Sequence, residues 1–130
     1  MNRKAEREQA FILIFEKSFR PDSIEEILED ALNAENYENS NYSENCFRGV
    51  YDNLETIDSI IENNLNGWSI NRISKVALSI LRLAVYEIKY VDSVPVGASI
   101  NEAVELCKKY ATSDDSSYVN GVLGAVARAE

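Results

Sequence analysis

The residue types best suited to bind a ligand stand at the start of the chain. Arg3, Lys4 and Arg7 carry positive charge, and residues 3 and 7 are one helical turn apart. Guanidinium and ammonium groups bind phosphate oxygens, and a helix N-terminus adds positive partial charge. We expect Arg3 and Arg7 to be exposed on the first turn of a helix, where they either contact a nucleic acid or are simply solvated.

The composition gives little support to catalytic chemistry. The chain has no histidine, so the commonest general base, the usual zinc ligand and the Ser–His and Cys–His nucleophile pairs are missing. The two cysteines, Cys46 and Cys107, stand at apolar positions of predicted helices and are expected to be buried thiols. Asp114 and Asp115 precede a helix and indicate capping rather than a metal site. We therefore predict a binding protein with no enzymatic activity, no metal and no cofactor.

The negative charge of the chain is concentrated in one segment. The net charge is −9, and residues 21–66 hold twelve acidic side chains against a single basic one, Arg48. Such a segment is typical of a solvated helical surface. It is also compatible with a surface that repels nucleic acid or attracts a basic partner.

Apolar residues recur with helical spacing along nearly the whole chain, and no segment alternates as a β-strand does. The first stripe comprises Phe11, Ile14, Phe15 and Phe19. Further stripes lie at 24–32, after a Ser23–Glu26 capping box, at 47–61, at 76–88, at 103–110 and at 119–126. We predict a polar connector over 33–43, one helix from about residue 44 to 66–67, and a polar turn over 112–116. The pattern predicts an all-α protein.

Residues 74–90 are the most apolar segment and predict the central helix of the domain. Arg82 and Glu87 lie within this apolar wall, where we expect hydrogen bonds to hold them because an unpaired buried charge is costly. Gly49 interrupts another predicted helix and indicates close packing there. The length of 130 residues fits one domain over 1–130, and no apolar run is long enough to span a bilayer. With no secretory signal visible, we expect a soluble, cytoplasmic protein.

Three blocks of the sequence resemble the NusB family of bacterial transcription antitermination factors. They are RISKVALSILRLAVYEIKY (72–90), VPVGASINEAVELCKKY (94–110) and SSYVNGVLGAVAR (116–128), with AEREQAFILIFE (5–16) as a further match. The resemblance implies a compact bundle of about seven helices in two small subdomains. It also implies binding of boxA-type single-stranded RNA together with NusE, a small-subunit ribosomal protein. The complex would support read-through by RNA polymerase, notably in ribosomal RNA operons, without catalysis.

The resemblance also implies which residues serve these contacts. The RNA surface would comprise Arg3, Lys4, Arg7, Ser117, Tyr118 and Asn120. Asn120 could instead hydrogen-bond the backbone, and we favour that structural role for it. An exposed Tyr118 would stack on an unpaired base, although it could instead pack the helix start. The partner surface would comprise Asp114 and Phe15. Two departures from the family pattern are Ala77, where an acid is common early in the central helix, and Gly124, where Asp is common.

Two other functions remain open at this stage. The first is a protein-only helical adaptor that has lost RNA affinity, which the charge of −9 favours. The second is a regulatory RNA-binding domain related to that of RNA cytosine methyltransferases, although we expect no cofactor loop or catalytic cysteine region in this chain. The resemblance is also compatible with a homodimer.

Overall fold

The computed structural model describes residues 1–67 and 69–129, which form seven α-helices and no β-strand. The helices are α1 (Arg3–Lys17), α2 (Ile24–Leu32), α3 (Asn41–Asp52), α4 (Leu54–Asn63), α5 (Lys75–Tyr90), α6 (Val96–Tyr110) and α7 (Ser113–Ala129). A short 3₁₀ turn, Ile70–Arg72, precedes α5. The predicted all-α class with about seven helices is confirmed. In the described part of the chain, no helix is both long and apolar enough to cross a membrane.

Helix α5 is the centre of the bundle, as its apolar sequence predicts. It packs against α1, α3, α4, α6 and α7, and all share one hydrophobic core. Helix α1 runs antiparallel to α5. Arg7 of α1 contacts Glu87 near the end of α5, whereas Lys75 at the start of α5 donates a hydrogen bond to the carbonyl of Ser18 (3.1 Å). The two cysteines are buried and free, as expected.

Side-chain caps set several helix boundaries. In the predicted capping box, the Ser23 hydroxyl accepts from the Glu26 amide (3.1 Å) and the Glu26 carboxylate accepts from the Ser23 amide (2.9 Å). Ser40 caps α3 by accepting from the Ser43 amide (3.1 Å), so α3 begins within the segment that we predicted to be a connector. Likewise α7 begins at Ser113, inside the predicted polar turn.

At α7 the capping residue is Thr112 rather than either aspartate. The Thr112 hydroxyl accepts from the Asp115 amide (3.0 Å), and the Asp115 carboxylate accepts from the Thr112 amide (3.4 Å). Asp115 therefore completes a capping box from the third helical position, while Asp114 is exposed on the first turn.

The helix predicted from residue 44 to 66–67 is wrong as a single element. It is divided at Asn53, whose side-chain amide donates to the carbonyl of Gly49 (2.8 Å) and whose backbone leaves the helical region. The apolar spacing continues across the break, so Phe47 and Val50 in α3 and Ile57 in α4 are all buried. Periodicity alone does not register such a break, because both helices face the same core.

Gly49 is closely packed, as predicted, but its neighbour is a side chain. An added Cβ at this position would overlap the ring of Tyr86 on α5. Three residues of the predicted stripes lie outside the core: Phe19, Leu32 and Tyr110 are all exposed. Phe19 follows the end of α1, so the helical spacing that placed it on the stripe no longer applies.

Candidate nucleic-acid interface

Arg7 is buried, and the expectation that it is exposed on the first turn is wrong. Its Nε lies 2.9 Å from both carboxylate oxygens of Glu87, and the exposed fractions of the two side chains are 7% and 1%. Arg7 precedes Phe11 by four residues and Ile14 by seven, so it continues the core-facing stripe of α1. That spacing, together with an acid inside the apolar central helix, is the sequence signal that could have identified the pair.

A third helix completes this buried ionic cluster. The Tyr42 hydroxyl of α3 donates to Glu87, and burial together with this hydrogen bond raises the pKa of Tyr42. The neighbouring thiol of Cys46 is also buried, and burial with the nearby Glu87 charge raises its pKa to about 12. A thiol held protonated in this way is a poor nucleophile. The cluster of Arg7, Glu87 and Tyr42 therefore joins α1, α3 and α5 and offers no reactive group.

Two exposed bases remain at the start of α1. The Arg3 guanidinium lies 3.6 Å from the centre of the Tyr42 ring and 3.5 Å from a carboxylate oxygen of Glu6. Lys4 is more exposed, and its Nζ lies 3.7 Å from Glu102 of α6. Each base thus has an acidic neighbour, which reduces the positive potential that a phosphate would meet.

Tyr118, on the second turn of α7, is only half-buried and is not the freely exposed ring that stacking would favour. Its hydroxyl is buried without a hydrogen-bond partner among the residues described, and burial raises its pKa. The ring separates two surface depressions, one bordered by Arg72 and Ser74 and the other by Asn66 and Ser117. Tyr118 therefore packs partly against the hydrophobic core and is partly accessible from the two depressions.

The remaining predicted contact residues differ in exposure. Ser117, Asn120 and Asp114 are exposed on α7. Phe15 is half-buried in a row of rings, with its centroid 5.9 Å from that of Phe11 and 4.8 Å from that of Phe19. Position 77 is buried, so Ala77 offers no side chain to a partner.

The structure does not bring the two predicted RNA-binding ends together. Arg7, and with it the start of α1, lies beside Glu87 near the end of α5. Tyr118 lies beside Ser74, which caps the start of α5. At 1.5 Å per residue, the 13 residues from Ser74 to Glu87 place these ends about 20 Å apart along the helix. A ligand that contacts both must be extended.

Sequence reasoning did not identify Lys108 and Lys109 as functional residues. They occupy the last turn of α6 and share a groove with Lys4 of α1. Lys109 Nζ lies 2.5 Å from Glu8, and Lys108 Nζ lies 3.4 Å from Glu105. Both lysines are about three-fifths exposed. Within the part of the chain that is described, no group of three acidic or cysteine side chains is arranged to hold a metal ion.

Comparison with known proteins agrees with this architecture. The NusB family model matches residues 4–128. The transcription antitermination protein NusB of Clostridium acetobutylicum is 45% identical over 126 residues, covering 95% of this chain and 93% of that protein. The structure of T. maritima NusB matches with a TM-score of 0.88 and 34% identity, over 98% of this chain and 92% of that one. A crystal structure of the antitermination factors NusB and NusE in complex with dsRNA matches with a TM-score of 0.88 and 31% identity, over 98% of this chain and 97% of its own.

Proposed function

This chain belongs to the NusB family, and we propose that it is a transcription antitermination factor that binds boxA-type RNA together with NusE. The observation that carries this proposal is a whole-chain match to a NusB relative solved with NusE and RNA. The complex would support read-through by RNA polymerase, notably in ribosomal RNA operons. The protein acts as a single RNA-binding domain over 1–130, in the cytoplasm, and as a scaffold without catalysis.

The RNA contacts are made near the two ends of α5, and we call the surface that joins them the RNA-binding face. Arg3 and Lys4 meet phosphates at the start of α1, and Ser117, Tyr118 and Asn120 meet RNA at the start of α7. Arg7 contributes by holding α1 against α5 rather than by direct contact, because its guanidinium is engaged by Glu87. Tyr118 is half-buried, so a base stacks on the part of this side chain that remains accessible.

Asp114 and Phe15 are proposed to contact NusE. Asp114 is exposed, so Asp114→Asn changes one surface charge without removing a core contact. We expect this variant to bind NusE more weakly by isothermal titration calorimetry, whereas Asp92→Asn, a change of another exposed aspartate after α5, leaves the affinity unchanged. Equal affinities for the two variants would remove Asp114 from the NusE surface.

The decisive experiment is a fluorescence-anisotropy titration of boxA RNA against a scrambled RNA, with this protein alone and with NusE. We expect specific binding that tightens in the presence of NusE. Lys4→Gln should weaken the affinity for boxA RNA, because Lys4 belongs to the proposed RNA surface. Lys17→Gln, at the other end of α1, should leave that affinity unchanged.

Two observations favour a second function, that of a protein-only adaptor. Each exposed base at the start of α1 lies within 4 Å of a carboxylate, and the net charge is −9. Both features oppose RNA binding. NusE binding without any specific RNA affinity would support this second function and contradict the first. The methyltransferase-associated alternative is not retained, because the matched relatives carry the antitermination name.

A further inference from the structure

Two surfaces connect the separated ends of the RNA-binding face. One passes over α3 and α4, since α3 begins beside α1 and the residues after α4 border Tyr118. The other passes over the end of α6, which lies beside α1 and leads into α7 within three residues. An RNA strand that contacts both Lys4 and Tyr118 has to follow one of them.

The surface over α3 and α4 repels phosphate. Asp52, Glu55 and Glu62 are exposed there. The single base of this region, Arg48, is engaged by two carboxylates: it contacts Glu25 and lies 3.0 Å from Glu44. An RNA strand on this surface would approach uncompensated negative charge.

The surface over the end of α6 carries exposed positive charge between the two ends of the RNA-binding face. Lys108 and Lys109 stand between Lys4, with which they share a groove, and the start of α7. Glu105 is about half exposed and Glu8 about one-quarter exposed, so solvent reaches both ion pairs, and surface pairs of this kind contribute only about 0–1 kcal/mol. A phosphate oxygen can therefore replace Glu105 or Glu8 as the partner of either ammonium group.

We propose that Lys108 and Lys109 contact RNA phosphates and join the two ends of the RNA-binding face, so that the strand runs over the end of α6. This inference rests on the proposed function and adds the path that the RNA strand follows across the protein. Before RNA binds, Glu8 and Glu105 neutralise the lysines, which suppresses binding of polyanions in general. When RNA binds at both ends of the face, those contacts supply the free energy for RNA phosphates to replace the carboxylates of Glu8 and Glu105 as partners of the lysines.

A competing explanation is that the lysines only complement the C-terminal dipole of α6 and hold α1 in place through Glu8. The two explanations predict opposite effects of removing the acids. Glu8→Gln and Glu105→Gln free a lysine, so they strengthen RNA binding if the lysines contact phosphate. If Lys109 acts only through its contact with α1, Glu8→Gln weakens binding as Lys109→Gln does.

The test measures the salt dependence of boxA RNA affinity for the complex with NusE, by fluorescence anisotropy at several KCl concentrations. Each phosphate contact with a single strand contributes about 0.7 to the slope of log K against log salt. We expect Lys108→Gln and Lys109→Gln each to make the slope shallower by about 0.7. Lys17→Gln, matched in charge but seated over the Tyr51 ring of α3, should leave it unchanged.

Three outcomes overturn the inference. The first is an unchanged slope in both lysine variants, and the second is weaker binding by Glu8→Gln that equals the loss in Lys109→Gln. The third is a shallower slope in Lys17→Gln alone, which would place the strand on α3. Wild-type protein that binds no boxA RNA would overturn the proposed function together with this inference. Wild-type protein that binds boxA RNA, with any of the three outcomes above, would overturn only the path over α6.

Discussion

At the scale of single residues, position within a helix decides which charges are available to a ligand. Arg3 and Arg7 have the same charge and lie one turn apart, yet Arg3 is exposed and Arg7 is buried against Glu87. A buried ion pair with satisfied hydrogen bonds tolerates the loss of neither partner, because the remaining charge is left in a medium of low polarity.

Substitution of Arg7 should therefore destabilise the fold. We expect Arg7→Ala to lower the free energy of unfolding by about 3–5 kcal/mol, since it leaves Glu87 buried without its partner. Arg3→Ala should change it by no more than about 0.5 kcal/mol, as exposed substitutions usually do. Urea denaturation followed by circular dichroism measures both. Equal stabilities of the two variants would mean that the Arg7–Glu87 pair does not hold α1 in solution. Because Arg7→Ala also destabilises the fold, a loss of RNA binding can be assigned to a lost RNA contact only in Arg3→Ala.

Tyr118 offers a way to separate packing from base stacking. Because the buried hydroxyl has no partner in the described structure, Tyr118→Phe should keep or slightly raise stability and should retain the stacking surface. Tyr118→Ala removes the ring and should weaken RNA binding by about 1–3 kcal/mol. Thermal melts and RNA titrations of both variants test this. A phenylalanine variant that loses RNA affinity would assign the contact to the hydroxyl instead of the ring.

Gly49 shows how a single position can oppose helix propensity. Gly49→Ala would gain up to about 1 kcal/mol of propensity, but its Cβ would overlap the Tyr86 ring, and overpacking costs about 1–3 kcal/mol. We expect a net loss of stability. Gly121→Ala on α7 is the matched control, because nothing lies within 4 Å of the added Cβ, and it should stabilise the protein. Chemical denaturation measures the free energy of unfolding of both variants. A more stable Gly49→Ala protein would show that the Tyr86 ring moves aside.

At the scale of helices, contacts between α1 and α6 align the start of α1 with the end of α6. Glu8 of α1 accepts hydrogen bonds from both Lys109 and the Tyr110 hydroxyl of α6, each at 2.5 Å. Both hydrogen bonds lower the pKa of the Glu8 carboxyl, and the one from Lys109 has the larger effect. The ring of Tyr110 also lies 5.0 Å from that of Phe11, centre to centre, so apolar and charged contacts act together.

This lowered pKa predicts a pH dependence of stability. A carboxyl whose pKa is lower in the folded state contributes stability that is present above its ordinary pKa of 4.5. That contribution is lost as the pH falls through the lowered folded value. We expect Glu8→Gln to have a shallower loss of stability between about pH 5 and pH 3 than wild type. Glu55→Gln, on the exposed part of α4, serves as the control. Parallel pH profiles for Glu8→Gln and wild type would show that the contact does not form in solution.

At the scale of the whole molecule, charge is distributed by surface. The acidic residues of α2, α3 and α4 repel polyanions from the surface over those helices, while Lys4, Lys108 and Lys109 lie together in the groove between α1 and α6. Because nearby carboxylates compensate these lysines, we expect modest RNA affinity that depends on NusE. In this arrangement, the acidic segment directs RNA to one face rather than excluding it from the protein.

The sequence by itself determined the features that depend on near neighbours along the chain. Periodicity identified α5 as the central helix, residue types identified the Ser23–Glu26 capping box, and both cysteines were correctly assigned to the core. Such features follow from spacing and local hydrogen bonds, which are written in consecutive residues. The break at Asn53 escaped prediction because the apolar spacing is the same on both sides of it.

Only the tertiary structure decided which side chains meet across the bundle. Arg7 and Glu87 are 80 positions apart, and their pairing depends on the antiparallel packing of α1 against α5. The packing of α7 and α6 against α5 likewise places Tyr118 at the end of α5 opposite to Arg3 and brings Lys109 beside α1. Burial, charge compensation and the path open to a ligand are consequences of three-dimensional proximity, so spacing along a single sequence does not determine them.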